Sequence, residues 1–250
     1  FYGIIKENRN GKKKKLKLRI DRVILVAIIA IIILFGLYKG IMFAVDQVSG
    51  FFAKEKPVQV EQKEKEYIAT VVIDPGHGGY DAGANTKNLF EKDITLTTAK
   101  AVGKYLENQN IKVIYTRTED IELHDDKKTD LEMRAAISKT NQAKYFVSIH
   151  VNDFDKTTDV SGFEVYTKND ESTALATSVG TYIEKLNYSK NRGIQDGKSL
   201  VVLKANTVPS ILVELGYIKG KDYNYLSDNQ KLEQIGEAIA KGIVDQVHKK

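Results

Sequence analysis

Four side chains in this sequence combine a reactive type with a setting that could use it. His77 stands in a glycine-rich turn, VVIDPGHGG, directly after a short β-branched run, and His150 closes the apolar run YFVSIH. Glu214 lies near the end of ILVEL, and Glu91 opens a helix-like segment that begins EKDI. Two histidines with one carboxylate are the usual protein ligands of a catalytic zinc that keeps a position for water, and a second carboxylate can take that water's proton. This is a hydrolase's equipment. Each residue also has a plain structural reading: GHGG can be only a tight turn, and an acid at a helix N-terminus commonly serves the dipole. His150 and Glu214 resist that reading. A polar ring sharing a strand face with Phe146 and Ser148, and an acid following Ile211, Leu212 and Val213, are costly to bury without partners. His124 in LHDDKK and His248 in VHKK sit among polar neighbours and are read as structural. The chain has no cysteine, which excludes disulfides, thiolate metal sites and thiol nucleophiles.

For the four groups to meet, strands and helices must alternate around them. Runs at Thr70 to Ile73, Ile111 to Thr116, Tyr145 to Ile149, Phe163 to Thr167, Leu200 to Leu203 and Ile211 to Leu215 read as strands. Between them, Ile94, Ala101, Val102, Tyr105 and Leu106 recur at helical spacing, as do Leu131, Ala135 and Ile137 behind an Asp130 cap. A further helix is expected from Leu175 through Leu186 and a last one from Leu232 through Val247. The predicted fold is α/β, an open, largely parallel (mixed) sheet with helices on both faces, because continuous apolar strands need cover on both sides. In such sheets functional groups gather beyond the carboxyl ends of the strands, where His77, His150 and Glu214 fall.

The 250 residues carry a net charge of +5, but residues 1–22 hold nine Lys and Arg against two acids, a net of +7, so the other 228 residues sum to −2. The body therefore has no electrostatic footprint for nucleic acid. Residues 23–45 are apolar apart from Lys39 and, at about 1.5 Å per residue, reach ~34 Å, enough for the ~30 Å hydrocarbon core. We read residues 1–22 as a basic cytoplasmic tail and 23–45 as a single transmembrane anchor, oriented by the positive-inside rule. Residues 46–66, with alternating charge and Pro57, read as an extracytoplasmic linker, and 67–250 as the catalytic domain. The localisation expected is the cell membrane, single-pass, with the domain outside. The competing reading is a secreted protein cleaved as a signal peptide near Val48-Ser49-Gly50.

At this point the motifs carry a resemblance. VVIDPGHGGYDAGA, EKDITLTTAKAV, YTRTED, LEMRAAISKTNQAKYFVSIHVN, GFEVY, NRGI and VPSILVELGYI, in this order, resemble the zinc-dependent N-acetylmuramoyl-L-alanine amidases of the amidase-3 family over about residues 70–247. The resemblance implies Zn²⁺ bound by His77, Glu91 and His150, with Glu214 catalytic. It implies peptidoglycan as substrate, cut at the amide between the lactyl group of N-acetylmuramic acid and L-alanine of the stem peptide. The chain departs from the family at Lys219-Gly220, where members often have Ser-Asn. Asp74 and Asn152, next to the ligands, are candidates to orient the imidazoles, with turn capping the alternative for Asp74.

Three rival readings stay in view. An Fe(II) oxygenase shares the two-His, one-carboxylate ligand set, a zinc peptidase could cut within the stem peptide, and a non-catalytic wall-binding module would be expected to have lost one of the four residues. Some family members carry an inserted helix that covers the zinc until a partner moves it. Here only Asp153 to Ser161 separate SIHVN from GFEVY, which leaves little room for one, and an uncovered cleft is expected.

Overall fold

The computed structural model describes residues 5–6, 14–15, 19–52 and 66–249. The chain divides into two compact units, Phe1–Lys63 and Glu64–Lys250. Most of the basic tail and residues 53–65 of the expected linker lie outside the described residues. In the first unit, helix α1 spans Ile20–Phe52, longer at both ends than the 23–45 expected from composition, so residues 46–52 are helical rather than linker. Its stretch Ile20–Val48 is long and apolar enough to cross a membrane, and none of it is buried.

The second unit is a three-layer α/β sandwich. Its elements run β1 (Ala69–Pro75), α2 (Glu91–Asn108), β2 (Ile111–Tyr115), α3 (Lys127–Thr140), β3 (Tyr145–Asn152), β4 (Phe163–Thr167), α4 (Asp170–Glu184), β5 (Asn191–Asp196), α5 (Val201–Lys204), β6 (Ser210–Tyr217), α6 (Tyr223–Leu226) and α7 (Asn229–His248). The sheet order is β2-β1-β3-β6-β4-β5. Strands β2, β1, β3 and β6 are parallel, while β4 pairs antiparallel with β6 and parallel with β5. The reversal follows from length: Asp153 to Gly162, which joins β3 to β4, contains no helix, and a parallel return needs a crossover of about a dozen residues or more.

The inner strands β1, β3 and β6 are largely apolar because helices cover both faces. Val71, Ile73, Val147, Ile149, Ile211 and Val213 point into the larger core beneath α2, α4 and α7. The alternate residues Val72, Phe146 and Leu212 meet Val202 and Leu203 of α5 on the other face, which α3 shares. Strands β1 and β3 are neighbours, yet the chain leaves β1 for β2 on one side and returns to β3 on the other. That switch opens a crevice at their carboxyl ends.

Three sequence expectations are corrected. Leu200 to Leu203, read as a strand, belongs to α5, capped at Leu200; a four-residue apolar run carries no periodicity to separate the two states. The cap of α3 is Asp126, whose side chain accepts from Thr129 N–H, while Asp130 sits one turn inside the helix and pairs with Arg134. Strand β5, which was not foreseen as an element, is a polar edge strand with an exposed pattern that hides it from an apolar search.

Candidate metal centre

His77 lies just beyond β1, in a loop that folds back so that Gly78 and Asp81 exchange backbone hydrogen bonds. Its φ is 62°, in the left-handed region where residues other than glycine are uncommon. Glu91 is the first residue of α2, and its own N–H donates to Ala84 O at 2.8 Å. A short hairpin, Asn85–Thr86 with Leu89–Phe90, delivers the chain to that point. His150 stands near the end of β3, and Glu214 is its register partner on β6. The topology therefore brings all four predicted residues to one sheet edge.

Three of them converge closely. Glu91 Oε1 lies 3.1 Å from His77 Nε2 and 3.0 Å from His150 Nδ1, and one ligand atom from each residue falls within 4.8 Å of the others. The imidazoles meet edge to face, their centroids 4.9 Å apart. The carboxylate is fixed before any ligand arrives, since Oε2 accepts from Ala84 N–H at 2.7 Å and Oε1 from Val151 N–H at 2.8 Å. Burial alone would raise its pKa, but the contacts to His150 and His77 outweigh burial and hold it well below the usual carboxylate range. Burial alone would lower His77, and its Glu91 and Asp81 neighbours outweigh that and raise it.

The two separations from Glu91 Oε1 are close to the ~3.3–3.5 Å between neighbouring ligand atoms of a tetrahedral zinc with bonds of about 2.0–2.2 Å. The donor set of two ring nitrogens and one carboxylate oxygen is that of an open, catalytic site. Asp81 completes it. Its Oδ2 is 3.0 Å from His77 Nδ1, an ion-pair contact not aligned as a hydrogen bond, on the edge of the ring away from Glu91, the side where carboxylates commonly support metal-binding histidines. Sequence reasoning quoted Asp81 within GGYDAG without assigning it a role; only the fold-back of the loop brings it to the ring.

Glu214 is placed differently. Its Oε2 is buried with no hydrogen-bond partner, and burial, reinforced by the negative charges of Glu91 and Glu164, pushes its carboxyl well above the usual range. With His77 and His150 it lines a cavity of about 230 Å³ walled by residues of α3 and by Val201 and Val202 of α5. A carboxyl whose proton affinity is raised, beside a cluster that could hold a metal ion, is suited to acid–base work. Glu164, opposite Glu214 on the antiparallel ladder, is engaged by Arg192 Nε at 2.6 Å and Tyr166 OH at 2.7 Å.

The two proposed orienting residues do not touch the rings. Asp74, fully buried, accepts from Thr116 Oγ1 and Ser148 Oγ, each at 2.6 Å, and from Arg134 Nη1 at 3.1 Å. Asn152 donates to Glu164 Oε2 at 3.1 Å. His124 accepts from Asp126 N–H in an exposed turn, and His248 ends α7.

An α/β sheet with a His–Glu–His cluster and a buried acid at one edge defines a hydrolase whose site could hold a metal ion. The N-acetylmuramoyl-L-alanine amidase family model, Amidase_3, matches residues 71–245, and the chain belongs to this family. It is 34% identical over 179 residues to the uncharacterized protein YqiI of Bacillus subtilis, covering 70% of this chain and 82% of that one. It is 33% identical over 202 residues to the probable cell wall amidase LytH of Staphylococcus aureus, covering 78% of this chain and 65% of LytH. Among solved structures, the N-acetylmuramoyl-L-alanine amidase AmiC2 of Nostoc punctiforme matches with a TM-score of 0.68 and 38% identity, over 73% of this chain and 98% of that one. The second unit is accordingly an N-acetylmuramoyl-L-alanine amidase domain, and its mixed, mostly parallel sheet is the one expected from the sequence.

Proposed function

We propose that the chain is a membrane-anchored, zinc-dependent peptidoglycan amidase in which His77, Glu91 and His150 hold the metal and Glu214 is the general base and acid. The observation that carries this reading is the convergence of His77 Nε2 and His150 Nδ1 on one Glu91 oxygen, beside a buried acid with an unpartnered oxygen. A zinc ion held by these residues would supply polarisation of the carbonyl and a water acidified from a pKa of ~15.7 towards ~7. Asp81 faces the Nδ1 edge of His77 with its carboxylate, and the backbone N–H groups of Ala84 and Val151 keep Glu91 in place. Glu214 accepts the proton of the attacking water and returns it to the departing amine of L-alanine, so that the lactyl carboxylate and a free stem peptide are released.

The anchor is α1, whose Ile20–Val48 stretch has the length of a span, and the flanking basic residues put the amidase domain outside the cytoplasm. The relative LytH is named a probable cell wall amidase, which supports this placement. Residues 1–22, 23–45, 46–66 and 67–250 remain the proposed functional divisions, with the helical extension to Phe52 added to the anchor side.

The test is mass spectrometry of peptidoglycan digested with residues 67–250. Stem peptides with a free L-alanine amine are expected; cleavage inside the stem would make the enzyme a peptidase instead. The domain is expected to hold about one zinc per chain, and His150→Ala to lose both zinc and activity while remaining folded, because the sheet does not depend on the ion. Glu214→Gln is expected to keep zinc and lose on the order of 10²- to 10⁴-fold in turnover. Stoichiometric zinc in His150→Ala, or unchanged turnover in Glu214→Gln, would remove the corresponding assignment.

A further inference from the structure

The loop that presents His77 is gripped from beneath by two buried arginines. Arg134 Nη1 donates to Pro75 O at 2.9 Å and its Nη2 to His77 O at 2.9 Å. Arg117 Nε donates to the same Pro75 O at 3.0 Å and its Nη2 to Gly76 O at 2.9 Å, where Thr95 Oγ1 also donates at 2.9 Å. Three consecutive carbonyls thus accept from two guanidinium groups. Each arginine is only 2% exposed. Arg134 is itself held on two sides, by Asp130 Oδ2 at 2.5 Å and Asp74 Oδ1 at 3.1 Å, and Asp74 is tied to β3 and to the end of β2 through Ser148 and Thr116. None of these groups contacts the ligand atoms, and the reaction as derived uses none of them.

We propose that Arg134, assisted by Arg117, is a positioning residue for the metal centre: by fixing the carbonyls of Pro75, Gly76 and His77 it holds the His77 imidazole opposite Glu91 and His150. The inference rests on the reading of those three residues as ligands. Its physical basis is the backbone of His77. A histidine at φ 62° carries a strained conformation that persists only when its surroundings impose it, and His77 O accepts directly from Arg134. Gly76 N–H, bonded to Ile149 O at 3.0 Å, ties the loop to β3, but beyond that point the sheet ladder ends. The arginines take over the carbonyls that the ladder no longer satisfies. A planar guanidinium can hold two carbonyls and two carboxylates at once; a lysine ammonium cannot reproduce that fork.

The test uses the full chain in detergent micelles, with zinc itself as the probe, titrated in competition with a chromophoric chelator. Arg134→Lys, which keeps the charge but loses the fork, is expected to bind zinc on the order of 10- to 100-fold more weakly, the usual effect of disturbing the groups that orient a metal ligand. Its KM is expected to stay unchanged, with kcat recovering as zinc is raised, and Arg117→Lys is expected to weaken zinc in the same direction. Asp74→Asn combined with Arg134→Met removes buried charge of both signs together and covers the case in which Arg134→Lys does not fold; the same weakening is expected. A folded Arg134 variant with parental zinc affinity overturns the proposal whatever its melting temperature, since the arginine would then serve stability alone. His150→Ala in parallel separates the two readings. Zinc lost there but retained at parental affinity by the Arg134 variants refutes the positioning role only, whereas zinc retained in His150→Ala refutes the ligand assignment and the inference with it.

Discussion

Glu214 sits where a negative charge is least welcome, beside Glu91 and across the ladder from Glu164, with one oxygen buried and unpartnered. On the proposed mechanism the arrangement would serve proton transfer at the expense of stability. Burial and the two acids raise its folded pKa, so the contribution of Glu214 to stability is fully present below its unfolded value of about 4.5 and is lost as pH rises through the folded value. After chelation of metal, Glu214→Gln is therefore expected to melt at a higher temperature than the parent near pH 7, and the difference to close below about pH 4.5. Thermal melts of both proteins across this range check it, and a lower melting temperature for the glutamine variant at pH 7 would show that the carboxylate is stabilised by a partner. Asp74 shows the opposite balance a few residues from the site: burial would raise it, but Arg134 and the hydroxyls of Ser148 and Thr116 outweigh burial and keep it low. One acid is kept ready to hold a proton and the other is kept charged, and the donors around each decide which.

At the scale of elements, the site is a matter of how closely one loop passes over one strand. A Cβ added at Gly76 would stand 2.5 Å from His150 Nε2, so the glycine is required for space and not for an unusual φ. Gly76→Ala is expected to push the His150 ring out of line, weakening zinc and lowering stability by about 1–3 kcal/mol, the usual cost of overpacking; zinc competition and denaturant melts measure the two effects, and parental zinc affinity would show that the ring can give way without consequence. Much of this was legible beforehand. The runs containing Val71 to Ile73, Tyr145 to Ile149 and Ile211 to Leu215 announce themselves because both their faces are buried, and the four reactive residues stand at the ends of such runs or at a helix start. What escaped the sequence lies where pattern carries no direction. Leu200 to Leu203 is too short to show a period, the polar edge of β5 has no apolar face to show, and Asp81, Arg117 and Arg134 act on partners that only the folded loop brings near.

At the scale of the whole molecule, the proposed reading divides the work between a unit that holds and a unit that cuts. The large apolar side chains of α1 from Ile20 to Val48 are exposed, as a helix surrounded by lipid requires, and protease added to wall-stripped cells is expected to degrade the domain while α1 stays with the membrane fraction in high salt. A soluble product beginning near Phe51 would show instead that the apolar segment is a cleaved signal. On the proposed reading, restraint would come from the tether and from access to the wall, since among the described residues of the amidase unit no inserted helix covers the cleft. The β3–β4 connection, Asp153 to Gly162, contains no helix and is pinned aside in part by Lys219, which pairs with Asp153 and Asp155 at 2.7 Å each. The stretch between β4 and β5 is taken up by α4, which packs on α7. The amidase unit has its own core, and its match covers 98% of the solved AmiC2 chain, so residues 67–250 are a fair test piece. Supplied with zinc and cell-wall fragments, they are expected to release stem peptides at once, without a second protein. Release that begins only when a partner is added would mean that the open cleft is not yet a competent one.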